Sequence, residues 1–165
     1  MSTATVSPRI AAIVDLIDPA LPVWDLCCDR GVIGCAVLDR FPEAAVIFVE
    51  KRPRIVEALR DAVANRSGRQ GRYRVVCDDV RHMPLPDAPA SFVVAGVGTN
   101  LICEFLARVA HRDGDRVVCS TSQSPDRFER LTGEAGWRVV ARRDVASRTG
   151  RQTVWVVART DHASG

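Results

Sequence analysis

With 165 residues, 47% of them hydrophobic and 26% charged, the chain has the makeup of one domain with a sizeable core. It is too short for two ordinary domains and too apolar for a disordered tail. The net charge of +3 is modest, but Lys51 is the only lysine, so the positive charge is almost wholly arginine. Arginine forks suit phosphate recognition, although the same bias also arises from a GC-rich genome.

The six cysteines, at 27, 28, 35, 77, 103 and 119, lie mostly in apolar runs and form no Cys-x-x-Cys pair. That spacing argues against a zinc site or a redox motif and for small buried hydrophobes. No signal-peptide pattern and no long apolar span stand out, so a cytoplasmic protein with reduced thiols, no membrane partner and no metal is expected.

In chain order, Ser7 and Pro8 read as the N-cap and first residue of a helix. Ile10, Ile13, Val14 and Ile17 recur at helical spacing, a stripe that should pack on a sheet. Pro19 and Pro22 end this helix and lead into a strand at 23–26. The run Asp25-Leu26-Cys27-Cys28-Asp29-Arg30-Gly31 then breaks into a polar turn before a helix at 31–40. Strand, tight turn and helix N-terminus together bring backbone N–H groups to a nucleotide-like ligand. Glycine is usual at alternate positions after the acidic residue, and here they read Cys27, Asp29 and Gly31. The turn alone therefore fits an ordinary βα corner equally well. Glu50, closing the apolar run 45–49, adds weight to the ligand reading. An acidic residue there, about 20 residues beyond the turn, is where a Rossmann-like site holds ribose hydroxyls.

Helical spacing continues over 53–65, and 65–72 is a loop by its glycine and polar content. A strand at 73–77 ends in Asp78-Asp79, and Pro84, Pro86 and Pro89 forbid regular structure. A fourth strand at 91–95 runs into Gly96-Val97-Gly98-Thr99-Asn100. A helix at 101–110, a strand at 116–119 and a helix at 125–135 follow. Strands at 137–141 and 153–158 come in succession, joined through a loop at 147–152. The alternation predicts an α/β fold with a mostly parallel seven-strand sheet and helices on both faces. The last two strands predict an antiparallel hairpin at its edge.

Four stretches carry a resemblance to a known family. Ser7-Pro8-Arg9-Ile10, Asp25 through Gly31, the run Val94-Ala95-Gly96-Val97-Gly98-Thr99-Asn100-Leu101-Ile102, and Gly136-Trp137 with the closing strand pair are similar to motifs of the bacterial tRNA (adenine-N1)-methyltransferases acting on adenine 22. The resemblance implies a single Rossmann-like class I domain over 1–165, S-adenosyl-L-methionine (SAM) as cofactor, and tRNA as partner. It also implies a C-terminal helical domain that helps hold tRNA, and this chain ends before it. Cys27 and Arg30 depart from the family's glycine and histidine. After the fifth strand the family's Gln-Pro-Asn is replaced by Ser120-Thr121-Ser122, unless a short gap brings Gln123 there.

Carried onto this sequence, the resemblance assigns Glu50 to the ribose and Asp79 to the adenine amino group, with Lys51 and Asp78 beside them. Asp25, Cys27 and Gly31 belong to the cofactor turn, and Ala95, Gly96 and Gly98 to the wall beside the methyl group. Asp29, Arg9 and Asn100 would face the acceptor. Each has a plainer alternative: Glu50 paired with Lys51 or Arg52, Asp78 and Asp79 as an Asx turn, Asp29 and Arg9 as a salt bridge, Asn100 as a helix cap. Lys51, Arg52, Arg54, Arg60, Arg66, Arg69, Arg72 and Arg74 are a candidate phosphate-contacting face, or a solvated one. Glycine in place of Cys27 is expected to cost a little stability through added backbone freedom. Three functions stay open: an RNA base methyltransferase, a SAM-dependent enzyme acting on a small molecule or protein, and a non-catalytic cofactor-fold module.

Overall fold

The computed structural model describes residues 6–66, 68–148 and 150–160. Among them the elements run α1 (Pro8–Leu16), β1 (Val23–Leu26), α2 (Val32–Arg40), β2 (Val46–Glu50), α3 (Pro53–Ala64), β3 (Tyr73–Cys77), β4 (Ser91–Val97), α4 (Thr99–Arg108), β5 (Arg116–Thr121), α5 (Pro125–Glu134), β6 (Trp137–Ser147) and β7 (Gly150–Arg159). The sheet order is β3-β2-β1-β4-β5-β7-β6. β3 through β5 are mutually parallel, while β7 pairs antiparallel with both β5 and β6. This is the expected α/β sheet with its antiparallel terminal pair.

Each face carries its own apolar cluster because the parallel strands are covered on both sides. Ile13, Val14, Val37, Leu38, Leu59 and Val63 of α1 to α3 pack on Phe48, Val93 and Val118. On the opposite face Ile102, Phe105, Leu106 and Phe128 of α4 and α5 cover Phe92, Cys119 and Trp155. Phe128 stacks on Trp155 with ring centroids 4.1 Å apart, and the Trp155 indole N–H donates to Glu129 at 2.9 Å. That bond satisfies the one polar atom of an otherwise apolar ring.

The β3–β4 connection contains no helix. Its prolines leave carbonyls without ladder partners, and arginines take them: Arg108 donates to Val80 and Met83, Arg112 to Pro86 and Ala88. Much of the arginine content thus fastens irregular backbone, which would otherwise carry unpaired acceptors.

The terminal hairpin differs from expectation. β6 runs on to Ser147 and β7 starts at Gly150, within the predicted 147–152 loop, with a register shift between Val139 and Ala141. Polar residues hold the extension rather than marking a turn: Thr153 of β7 donates across the strands to Asp144 at 2.6 Å, while Arg142 ion-pairs with Asp144 along β6 and with Glu129 of α5. Cross-strand pairs of this kind hold an exposed hairpin that apolar alternation does not reveal.

Candidate active site

Order reverses between β1 and β4, so their carboxyl ends open the crevice where doubly wound sheets bind ligands. The turn after β1 is left-handed at three alternate residues, Cys27 (φ 54°), Asp29 (φ 48°) and Gly31 (φ 67°). These are the positions where nucleotide-binding turns carry glycine. The backbone geometry of the turn is retained, and two side chains bear its strain, roughly 1–2 kcal/mol each.

Gly31, assigned to the cofactor turn, packs closely on the sheet. A Cβ there would lie 2.5 Å from Leu59 Cδ1 and 3.0 Å from Phe48, so it is glycine for helix–sheet packing and for its φ. Gly34 serves the same approach, since its Cβ would stand 2.3 Å from Phe48. The sequence reading missed it.

Glu50 is 3% exposed at the end of β2. It accepts from the Asp29 backbone N–H at 3.1 Å and from the Arg52 backbone N–H, Nε and Nη2 at 3.0, 2.8 and 3.1 Å. The Arg52 guanidinium foremost holds its carboxyl below the usual range, against the opposing effect of burial. Glu50 lines a cavity of about 460 Å³ with Cys27, Asp29, Lys51, Asp78 and Asp79, floored by Val49, Val80, Val97 and Leu101. That volume lies within the range of small-molecule sites.

Asp78 accepts from the Asp79 N–H at 2.7 Å, and Asp79 from the Arg81 N–H at 2.9 Å. The Asx turn named as the plainer alternative therefore exists, and both residues line the cavity as well. Lys51 stands 3.8 Å from the second Asp79 oxygen. The Arg81 N–H, ahead of the charges of Lys51 and Arg81, keeps Asp79 below its usual pKa.

A second cavity, of about 300 Å³, shares Cys27, Asp29 and Gly96 with the first. Arg9, Asp25 and Ala95 line it. Asp25 is 1% exposed, its Oδ2 accepts from the Gly34 N–H at 2.8 Å, and burial pushes its pKa up to about 7. Arg9 forms no hydrogen bond or ion pair among the described residues. It lies beside Gly96 (φ 75°), where a Cβ would meet nothing nearer than Arg9 Nη1 at 3.9 Å. The Arg9–Asp29 salt bridge named as the plainer alternative is not made; Arg52 Nη2 holds Asp29 at 2.9 Å instead. Burial, then the charges of Glu50 and Asp79, pushes the Cys27 thiol up to about 11, so it is a protonated wall and not a nucleophile at neutral pH.

Gly98 and Asn100 fall outside both cavities. α4 begins two residues earlier than predicted, with Gly98 as its N-cap. Asn100 is thereby drawn into the first helical turn, where it accepts from Arg127 at 3.2 Å. Gln123 rather than Asn100 caps this helix, accepting the Thr99 N–H at 2.9 Å. Of the candidate arginine face, Arg69 is buried, Arg72 half-buried and Arg66 paired, while Lys51, Arg52, Arg54, Arg60 and Arg74 stay exposed. Arg69 is 2% exposed and bound to Asp39; Arg72 donates to the carbonyls of Leu38, Phe41 and Gly68; Arg66 pairs with Asp39.

A methyltransferase domain family model matches residues 6–151. The chain belongs to this family. Its fold recurs in an uncharacterised protein from Listeria monocytogenes serotype 4b, with TM-score 0.80 and 17% identity over 95% of this chain and 69% of that one. It recurs in the B. subtilis m1A22 tRNA methyltransferase TrmK, with TM-score 0.76 and 16% identity over 95% and 68%. It recurs too in magnesium protoporphyrin IX methyltransferase from Synechocystis PCC 6803, solved with bound SAM, with TM-score 0.71 and 13% identity over 92% and 76%. Comparison with curated proteins gives no match. Among the described residues no helix is long and apolar enough to cross a membrane, and no group of three or more His, Cys, Asp or Glu could hold a metal ion.

Proposed function

We propose that this methyltransferase domain uses SAM to methylate N1 of an adenine in tRNA. The observation that carries the cofactor assignment is the buried Glu50 carboxylate at the end of β2, bonded to the left-handed turn at Asp29 N–H and lining a cavity that shares Cys27, Asp29 and Gly96 with a second one. The residues fit the cofactor's parts. Glu50 suits the ribose diol, the Val49, Val80 and Leu101 floor suits the adenine, and Asp79 suits its amino group. The smaller cavity sets an unpartnered Arg9 and the buried Asp25 around one space, the charge pattern of an amino-acid end: Arg9 for the carboxylate and Asp25 for the ammonium. This moves Arg9 from the acceptor side to the cofactor side.

Bound there, SAM supplies an electrophilic methyl group. The chain's own part is alignment, and holding reactants in line contributes about 7–11 kcal/mol in intramolecular models. Adenine N1 carries an in-plane lone pair and needs no strong base, in keeping with a site whose shared wall holds a protonated thiol and a small Gly96. Asp29 is the group placed to accept from the exocyclic amine and to favour the cationic product. The base must leave its Watson–Crick pair to enter.

Support for the tRNA acceptor comes from the resemblance of residues 94–102 and from the shared fold of TrmK. A small-molecule acceptor is the second reading, favoured by one observation: most of the expected arginine face is occupied in holding the protein's own carbonyls and carboxylates. Incubation of the protein with SAM and unmodified tRNA, followed by nucleoside mass spectrometry, decides between them. 1-Methyladenosine supports the first reading. SAM binding with every tRNA adenine unmethylated refutes it.

A further inference from the structure

Glu50 has no acceptor position left. A carboxylate offers about four, and each oxygen here takes one backbone N–H and one nitrogen of the Arg52 side chain. The two backbone donors are fixed by β2 and the turn that follows β1. The two side-chain donors belong to a residue 55% exposed in its side chain, free to swing into solvent. A ribose presents two hydroxyl donors on adjacent carbons, a match for Nε and Nη2 in number and in their division between the two oxygens.

Resting on the assignment of Glu50 to the ribose, we propose that Arg52 is a built-in competitor for the cofactor: its guanidinium occupies the diol site, and the nucleoside enters by exchange. Arg52 then sets the affinity of the site, since entry replaces two charge-assisted bonds by two others. Arg52 Nη2 also holds Asp29 Oδ1 at 2.9 Å, so the same exchange frees the acceptor-facing carboxylate. A vacant site keeps its buried carboxylate neutralised, and an occupied one releases Asp29 for the incoming base.

The test is calorimetry with S-adenosylhomocysteine on the wild type, Arg52→Met, Arg52→Lys and Glu50→Ala, with thermal unfolding of each unliganded protein. Arg52→Met should bind about fivefold tighter, a gain kept small by solvent screening of an exposed arginine. Its unliganded form should melt lower, because Glu50 loses its charge partner, and the ligand should raise its melting temperature by more than in the wild type. Arg52→Lys, with one donor centre, should fall between. Equal or weaker binding by Arg52→Met, with Glu50→Ala strongly impaired, overturns the exchange and leaves the ribose assignment standing. Unimpaired binding by Glu50→Ala overturns both.

Discussion

Asp25 should make the protein less stable as pH rises, against the trend of its other site carboxylates. Burial carries its pKa from 3.8 to about 7, with the Gly34 N–H opposing only in part. Between those values the native state binds a proton that the unfolded chain has lost. Stability therefore falls with rising pH across that window. Each pH unit between the two values is worth about 1.4 kcal/mol. The whole displacement is on the order of 4 kcal/mol, of which roughly 2–3 kcal/mol falls between pH 5 and pH 8. Asp25→Asn keeps an oxygen for the Gly34 N–H and removes the titration. Urea unfolding of the unliganded wild type and variant at pH 5, 6.5 and 8 isolates the effect, because Glu50 and Asp79 are common to both. The wild type should lose stability relative to the variant by about 2–3 kcal/mol over that range. Parallel profiles would falsify the buried, proton-binding Asp25.

Cys27 is left-handed, which alters the stability expected of a glycine there. Relief of roughly 1–2 kcal/mol of strain outweighs the added freedom of about 0.5–1 kcal/mol, so Cys27→Gly should unfold at equal or slightly higher denaturant, not lower. A loss beyond about 2 kcal/mol would show that thiol packing dominates. The same variant should bind SAM more tightly if the side chain crowds the cavity it lines, and weaker binding in calorimetry would show that the thiol is accommodated. Gly34→Ala drives a methyl to 2.3 Å from Phe48 Cε1 and 2.9 Å from Val46 Cγ1. It should cost about 1–3 kcal/mol by overpacking, read in thermal unfolding, and a neutral result would mean that α2 does not press on β2 as described.

The sheet was legible in the sequence because each parallel strand is a short apolar run bounded by a turn or by proline. The position of Glu50 at the end of β2 was legible from the apolar run before it, and its pairing with Arg52 is the plainer alternative that the sequence also offered. The hairpin extension was not legible. Thr153 pairs with Asp144 across the strands and Arg142 with Asp144 along β6, and such pairing leaves no period in the hydrophobic pattern. The place of Gly31 in the motif suggested a ligand, while Leu59 and Phe48, 28 and 17 residues further on, account for the missing side chain. The arginines at 69 and 72 read as loose charge, since nothing local marks a guanidinium that turns back to a carboxylate or carbonyl. Asn100 was displaced by a cap from Gln123, a contact between segments that spacing cannot reveal.

In the proposed complex SAM lies across the cavity with its ribose on Glu50. Titration of SAM into the wild type and Glu50→Ala, by calorimetry at one pH and salt concentration, tests it most directly. Two charge-assisted hydrogen bonds at roughly 1.5–3 kcal/mol each, reduced by the displacement of Arg52, predict saturable one-site binding that weakens at least tenfold in the variant. Equal affinity in the two proteins, or no binding to the wild type, would contradict it.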